Sequence, residues 1–216
     1  NPNYNETGSL GSASSANAYL TDLNNAVTTR KLEPMKFPRA YANGVVLPNG
    51  QVFVVGGVPH GKGFDDSGAI MAPELFDPKL ETWTTMAAMR VPRTYHSIAL
   101  LLPDGRVLAG GGGLCGDCGV NHPNVELFSP AYLFQGQRPK LDVVPDQVRF
   151  GAGFSVKASD EVTQFTLIRS SSVTHSTNTD QRLLKLEFKR EAAGQFLLNA
   201  PANANLAPPG YYMLFG

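Results

Sequence analysis

The sequence lacks several features that usually announce a function. Its 18 Lys and Arg residues are balanced by 18 Asp and Glu, so the formal net charge is zero. Nucleic acid and anionic membranes attract proteins with a basic face, so neither is expected as the main partner. No apolar run reaches the roughly 18 residues of a membrane-spanning helix. No signal peptide is visible, because Asn1 to Asn25 is polar and rich in Ser, Asn and Ala. The chain does not start with Met, and its last residues, "GYYMLFG", read as the middle of an apolar strand. Both ends are expected to be cuts through a larger protein.

Cysteine is nearly missing too. Only Cys115 and Cys118 occur, in "GLCGDCG". A lone CxxC is compatible with a redox pair, half of a zinc site or a local disulfide. Zinc needs two further soft or imidazole ligands, and only His122 is near. A thioredoxin-like pair opens a helix after a strand, whereas glycine flanks this pair on both sides. The favoured reading of the three is a disulfide tying off a loop, which implies an oxidising compartment.

What the sequence does have is an internal repeat. "FPRAYANGVVLPNGQVFVVGG" (37–57) aligns with "VPRTYHSIALLLPDGRVLAGGG" (91–112). Pro38-Arg39 falls on Pro92-Arg93, Tyr41 on Tyr95, Asn49-Gly50 on Asp104-Gly105, and Gly56-Gly57 on Gly111-Gly112. "PELFDPKLETW" (73–83) and "VELFSPAYLF" (125–134) then form matching second halves. Asn-Gly and Asp-Gly supply the positive-φ residues of type I′ hairpin turns. Each unit therefore reads as four short antiparallel strands with paired glycines ending the second. Units of about 50 residues with this grammar are kelch-type β-propeller blades. The polar stretch from Glu6 to Asn25 is expected to be a long surface loop interrupting a blade.

After Pro139 the pattern changes to alternating strands without paired glycines, as in "KLDVVPDQVRFGAGFSVKAS". The expected fold class is all-β. Residues 1–138 would form C-terminal blades of a kelch propeller, and residues 139–216 an immunoglobulin-like β-sandwich truncated at its end. Two units cannot close a propeller of roughly four to eight blades. The remaining blades are expected from an N-terminal fragment or a companion chain. "SSSVTHSTNTDQR" reads as a long polar hairpin tip carrying a single His.

The residues with metal chemistry are Tyr95, His96 and His175. Tyr95 repeats Tyr41, so its plainest role is that of a structural blade tyrosine. His96, however, replaces Ala42, and an imidazole is a costly substitute for a methyl group unless it has a partner. His175 taken alone is a solvated loop residue. Two imidazoles and a phenolate suit Cu(II), and zinc fits the residue types nearly as well.

"YHSIALLLPDGRV", "GGGGLCGDC", "NH" at 121–122, "FSPAYLF", "LIR", "THSTNTDQR" and "LAPPGYYMLF" together closely resemble the C-terminal half of the galactose oxidase family. The resemblance runs through nearly the whole chain in order and is weak only at residues 6–36. It implies a secreted mononuclear copper-radical oxidase with a seven-bladed kelch propeller and a C-terminal β-sandwich. By that resemblance Tyr95 is the axial tyrosine and the base that takes the alcohol proton. His96 and His175 become the imidazole ligands, Phe64 an aromatic wall of the substrate pocket, and Cys115–Cys118 a short-loop disulfide. On its residues alone, Phe64 is equally an ordinary loop anchor. Asn5 lies where galactose oxidase carries a substrate-contacting Gln, and its shorter side chain argues against galactose itself.

The family's radical cofactor is a tyrosine cross-linked to a cysteine, and it is expected from outside these residues. The expected reaction oxidises a small primary alcohol or sugar to the aldehyde and reduces O2 to H2O2. The alternatives are a glyoxal-oxidase-like aldehyde oxidase and a non-catalytic kelch and β-sandwich binding module.

Overall fold

The computed structural model describes residues 12–24 and 26–216, which fold almost entirely as antiparallel β-structure. The chain divides into two compact units. The first runs to Phe128 and takes in Ser172–Thr179; the second comprises Ser129–Ser171 and Asp180–Gly216. Among the described residues no helix is long and apolar enough to cross a membrane.

In the first unit, strands Asn43–Val46, Val52–Val55, Glu74–Asp77 and Thr82–Thr85 pair in that order as a four-stranded sheet. Alternation decides which side chains face inward: Val45, Phe53, Val55 and Phe76 are buried while their neighbours are partly open. Each such side chain removed from water contributes roughly 1.5–3 kcal/mol. The repeat predicts the same four strands next, but Ser97–Leu101, Val107–Gly111 and Val125–Phe128 form three. Ala131–Phe134, in the second unit, is a 3₁₀ turn led by Pro130, whose ring fixes φ and removes a ladder donor.

The hairpin turns also differ from expectation. Gly50 and Gly105 have φ of 90° and 81°, but Asn49 and Asp104 are not left-handed, so neither turn is type I′. Gly50 N–H donates to Leu47 O, and Gly105 N–H to Leu102 O. Each is a three-residue connection, a type I-like turn followed by a left-handed glycine. Pro48 and Pro103 select it, because proline presets the first central φ near −65° and cannot go positive.

The repeated arginine and the repeated glutamate meet. Arg39 Nη2 donates to Glu74 Oε2 at 2.8 Å, and both side chains are fully buried. Arg39 Nη1 donates to Gly56 O at 2.7 Å; in the next sheet Arg93 Nη1 donates to Gly111 O at 3.0 Å. Each arginine thus ties the entry of an inner strand to the glycine pair ending the second strand. The two sheets sit side by side: Gly57 N–H donates to Arg93 O at 2.7 Å. A Cβ at Gly56 would run into that same carbonyl, and Gly56 also has φ of 74°. Asn43 Nδ2 donates to Ser97 Oγ at 3.0 Å, which joins the first residues of the two inner strands.

The segment read as a plain surface loop contributes the first strand of a hairpin. Tyr19–Asp22 pairs with Thr28–Lys31, and every residue of both strands is exposed.

The second unit is a sandwich of two sheets. One holds Leu141–Val143, Gly153–Ala158, Gln195–Asn199 and Phe188–Ala192 in spatial order; the other holds Leu183–Leu186, Phe165–Arg169 and Tyr212–Phe215. Phe165 from one sheet meets Phe196 and Phe188 from the other at ring distances of 5.2 and 5.1 Å, edge to face. Val156, Leu186 and Leu198 complete that core.

Candidate metal centre

The segment Arg93-Thr94-Tyr95-His96 leads into the inner strand Ser97–Leu101. Ser97 N–H donates to Thr94 O, closing a tight turn with Tyr95 and His96 at its centre. His96 has φ of 65° and Tyr95 is not left-handed. That sign pattern belongs to a type II turn, whose second central position normally takes glycine. His175 is held in a similar way. Val173–Thr174 pairs with Thr177–Asn178, leaving His175 and Ser176 as a two-residue turn with φ of 50° and 64°. Two positive φ values define type I′, which normally demands Asn-Gly. Both imidazoles therefore occupy backbone positions that cost an L-residue roughly 1–2 kcal/mol.

These two strained turns lie in the same unit and bring three rings together. Tyr95 stacks on His96 at 3.8 Å between ring centroids. His175 approaches His96 edge-on at 5.1 Å and Tyr95 at 5.9 Å. Phe64 (φ 54°) packs edge-on against Tyr95 at 5.3 Å and His96 at 5.8 Å. Phe64, the adjacent pair Tyr95-His96 and His175, from three separate stretches of the chain, thus share one cluster. Asn5 lies outside the described residues.

The donors around the cluster fix how the rings are presented. His96 Nδ1 lies 2.6 Å from Gly113 O, a pure acceptor, so Nδ1 carries the proton and Nε2 keeps its lone pair. His175 Nδ1 bonds Thr174 Oγ1 at 2.7 Å, which again leaves Nε2 for another partner. Gly113 N–H donates to Tyr95 O at 2.9 Å, so one glycine holds both neighbours. Among the described residues no group of three or more His, Cys, Asp and Glu side chains is placed to hold a metal ion. A metal at this cluster needs the phenol as well as the imidazoles. Two imidazole Nε2 atoms with second-nitrogen partners, plus one phenolic oxygen, fit copper.

Several participants were not legible from the sequence. Asp66 accepts from Thr94 Oγ1 at 2.8 Å and pairs with His122 Nε2 at 2.6 Å. It thereby pins the Phe64 loop to the residue before Tyr95, and it occupies Nε2 of His122, the imidazole nearest the CxxC in sequence. Cys115 and Cys118, by contrast, are joined as the disulfide expected from the sequence. Asn121 Oδ1 accepts from the Leu114 and Cys115 N–H groups, which braces that loop beside Gly113. Tyr41 lies 5.0 Å from Tyr95, ring to ring, with φ of 62° and a buried hydroxyl that finds no hydrogen-bond partner among the described residues. Burial first, and the nearby Tyr95 second, push its phenol pKa up.

Comparison with known proteins places this chain in a lineage. Residues 4–132 match the family described as glyoxal oxidase N-terminus, and residues 138–216 match the galactose oxidase-like early set domain. The chain belongs to the galactose oxidase family. Within it, a galactose oxidase of Gibberella zeae is 39% identical over 185 residues, covering 83% of this chain and 27% of the relative. An aldehyde oxidase of Arabidopsis thaliana is 33% identical over 225 residues, covering 90% of this chain and 36% of the relative. A solved fungal alcohol oxidase in complex with copper superposes with a TM-score of 0.90 at 39% identity, covering 95% of this chain and 45% of that structure. The chain therefore spans about a quarter to under a half of the length of these galactose oxidase relatives. Each of them is one longer chain, so the expectation of a separate companion chain finds no support there.

Proposed function

We propose that these residues form the C-terminal part of a copper-radical oxidase that converts primary alcohols to aldehydes and reduces O2 to H2O2. The observation that carries the proposal is the convergence of Tyr95, His96 and His175 on two strained turns, both imidazoles having Nδ1 engaged. Strain of this kind is kept where the surrounding structure over-determines it, and it clusters at functional sites. A structural blade tyrosine beside two solvated histidines would not need it.

Tyr95, His96 and His175 are the side chains that would hold copper. Bound there, copper together with a cross-linked tyrosine–cysteine radical from outside these residues would supply the two-electron oxidising capacity the reaction needs. The balance is RCH2OH + O2 → RCHO + H2O2. Tyr95 Oη takes the hydroxyl proton of the substrate, acting as a general base. His96 and His175 keep their orientation through Gly113 and Thr174. Phe64 forms an aromatic wall that excludes water beside Tyr95. The Cys115–Cys118 disulfide supports an oxidising, extracellular location.

A second reading is supported by the glyoxal oxidase match and the aldehyde oxidase relatives: small aldehydes as substrates on the same residues. Peroxide release by the intact, copper-loaded protein on benzyl alcohol, galactose and methylglyoxal, side by side, separates the two. Turnover of the alcohols supports the first reading and turnover of methylglyoxal alone the second. No peroxide from any of them would leave a non-catalytic binding module.

A further inference from the structure

The loop of residues 61–68 brings Phe64 to Tyr95, and its sequence gives it little stiffness, since Gly61, Gly63 and Gly68 lie within it. Its ion pair, Lys62 with Asp65 at 2.9 Å, ties the loop only to itself. The Tyr95-His96 turn is firmly held by contrast. Arg93 donates to Gly111 O and Asn124 O, and Thr94 is buried. Asp66 joins the loop to this turn with both carboxylate oxygens. Oδ1 accepts from Thr94 Oγ1 at 2.8 Å, and Oδ2 accepts from His122 Nε2 at 2.6 Å. The His122 backbone N–H donates in turn to Gly112 O at 3.0 Å, beside the glycine that holds His96. The repeat places Ala40 where Thr94 stands, so a blade of this kind needs no hydroxyl there. The Thr94 hydroxyl therefore serves something other than the sheet, and its partner sits two residues after Phe64.

We infer that Asp66 is a positioning residue, whose bond to Thr94 latches the Phe64 wall against the ring of Tyr95. The inference rests on the oxidase reading above for what the wall does to substrate; the latch itself is read without turnover. With the latch closed the Phe64 and Tyr95 rings stand 5.3 Å apart, edge to face. With it broken, the loop is free to carry Phe64 away, while Gly113 and Thr174 still orient the two imidazoles. Substrate then loses contact area, and the metal centre keeps its donors.

Thr94→Val removes the donor and keeps the side-chain shape, whereas Thr94→Ser keeps the donor. Trypsin digestion of the intact protein, read by mass spectrometry, compares cleavage after Lys62 in the loop with cleavage after Arg39, which is buried in the sheet. Cleavage of a native protein tracks the population of its opened form. Thr94→Val should speed the Lys62 cut by about tenfold or more, as loss of a hydrogen bond to a charged group supplies. The Arg39 cut should stay as it is, and Thr94→Ser should behave as the wild type. An unchanged Lys62 cut overturns the inference, and so does an equal rise at both sites, which makes the bond a general stabiliser. If Thr94→Val does not fold, Asp66→Asn should speed the Lys62 cut in the same selective way, and its failure to do so overturns the inference too.

Turnover supplies the second arm. In the copper-loaded protein Thr94→Val should raise KM for benzyl alcohol with little change in kcat. In a Phe64→Ala background the same substitution should have no further effect, because no wall is left to position. A fall in kcat at unchanged KM, or the same rise in KM without Phe64, overturns the inference. If the wild type yields no peroxide, the oxidase reading fails separately, and the digestion still decides the latch.

Discussion

Nδ1 of His96 stands 2.6 Å from the carbonyl oxygen of Gly113, and that contact leaves Nε2 as the ring nitrogen with a free lone pair. Gly113 has φ of 87°, and a Cβ there would lie 2.5 Å from Asn121 Oδ1 and from Val120 O. Gly113→Ala should therefore displace the carbonyl that orients His96. Loss of such a partner lowers metal affinity by roughly 10–100-fold. Copper titration of the intact protein and the variant checks this; equal affinities would show that His96 is oriented by something else.

Ser176 offers a test of the strained turn that carries His175. Its φ of 64° suits glycine and opposes a β-branched residue. Ser176→Val should destabilise the turn by roughly 1–2 kcal/mol and weaken copper binding, while Ser176→Gly should relax it. Thermal melts and copper titration of both variants read the difference. The opposite order would mean that backbone strain does not govern the placement of His175.

The two buried arginines should not respond alike. Glu74 is fully buried against Arg39, whereas Glu126 lies 3.4 Å from Arg93 with a side chain 26% exposed. Burial pushes both guanidinium pKa values down, and the glutamates oppose that. Glu74→Ala leaves a buried charge unpaired and should cost about 3–5 kcal/mol. Glu126→Ala should cost about 1 kcal/mol or less, since water replaces the lost partner. Urea unfolding of the two variants makes the comparison.

Asp65 makes the loop that carries Phe64 sensitive to acid. The Ser67 hydroxyl, the Ser67 N–H and Lys62 hold its carboxyl down, from 3.8 to about 2. A folded-state pKa below the unfolded one stabilises the protein at pH values above the unfolded value. That contribution is lost as the pH falls through about 4 towards 2. The melting temperature of the wild type should exceed that of Asp65→Asn at pH 6, and the gap should close on acidification to pH 2. A gap that is constant with pH contradicts the assignment.

Much of this was legible in the residues. The aligned Pro-Arg, Gly-Gly and Glu-Leu-Phe steps marked the repeat, and the structure explains them: arginine, glycine carbonyl and glutamate meet in each sheet. His96 in place of Ala42 marked the departure that matters. Backbone sign was not legible. Nothing in "YHS" or "THST" states that a histidine takes a glycine's place in a turn, because tertiary packing imposes it against local preference. Tyr41 shows the same limit. The repeat equates it with Tyr95, yet the left-handed residue falls on Tyr41 in one sheet and on His96 in the next, one step later. Asp66 was missed because its two partners, Thr94 and His122, are remote in sequence and only the fold unites them.

Copper stoichiometry is the measurement that matters most. The intact protein, loaded with copper and dialysed, should hold one copper ion per chain. His96→Ala and His175→Ala, each confirmed as folded by its melting curve, should each bind copper more than tenfold more weakly, as loss of a direct ligand requires. Copper retained at wild-type affinity by either folded variant would contradict the assignment of Tyr95, His96 and His175 as one metal centre.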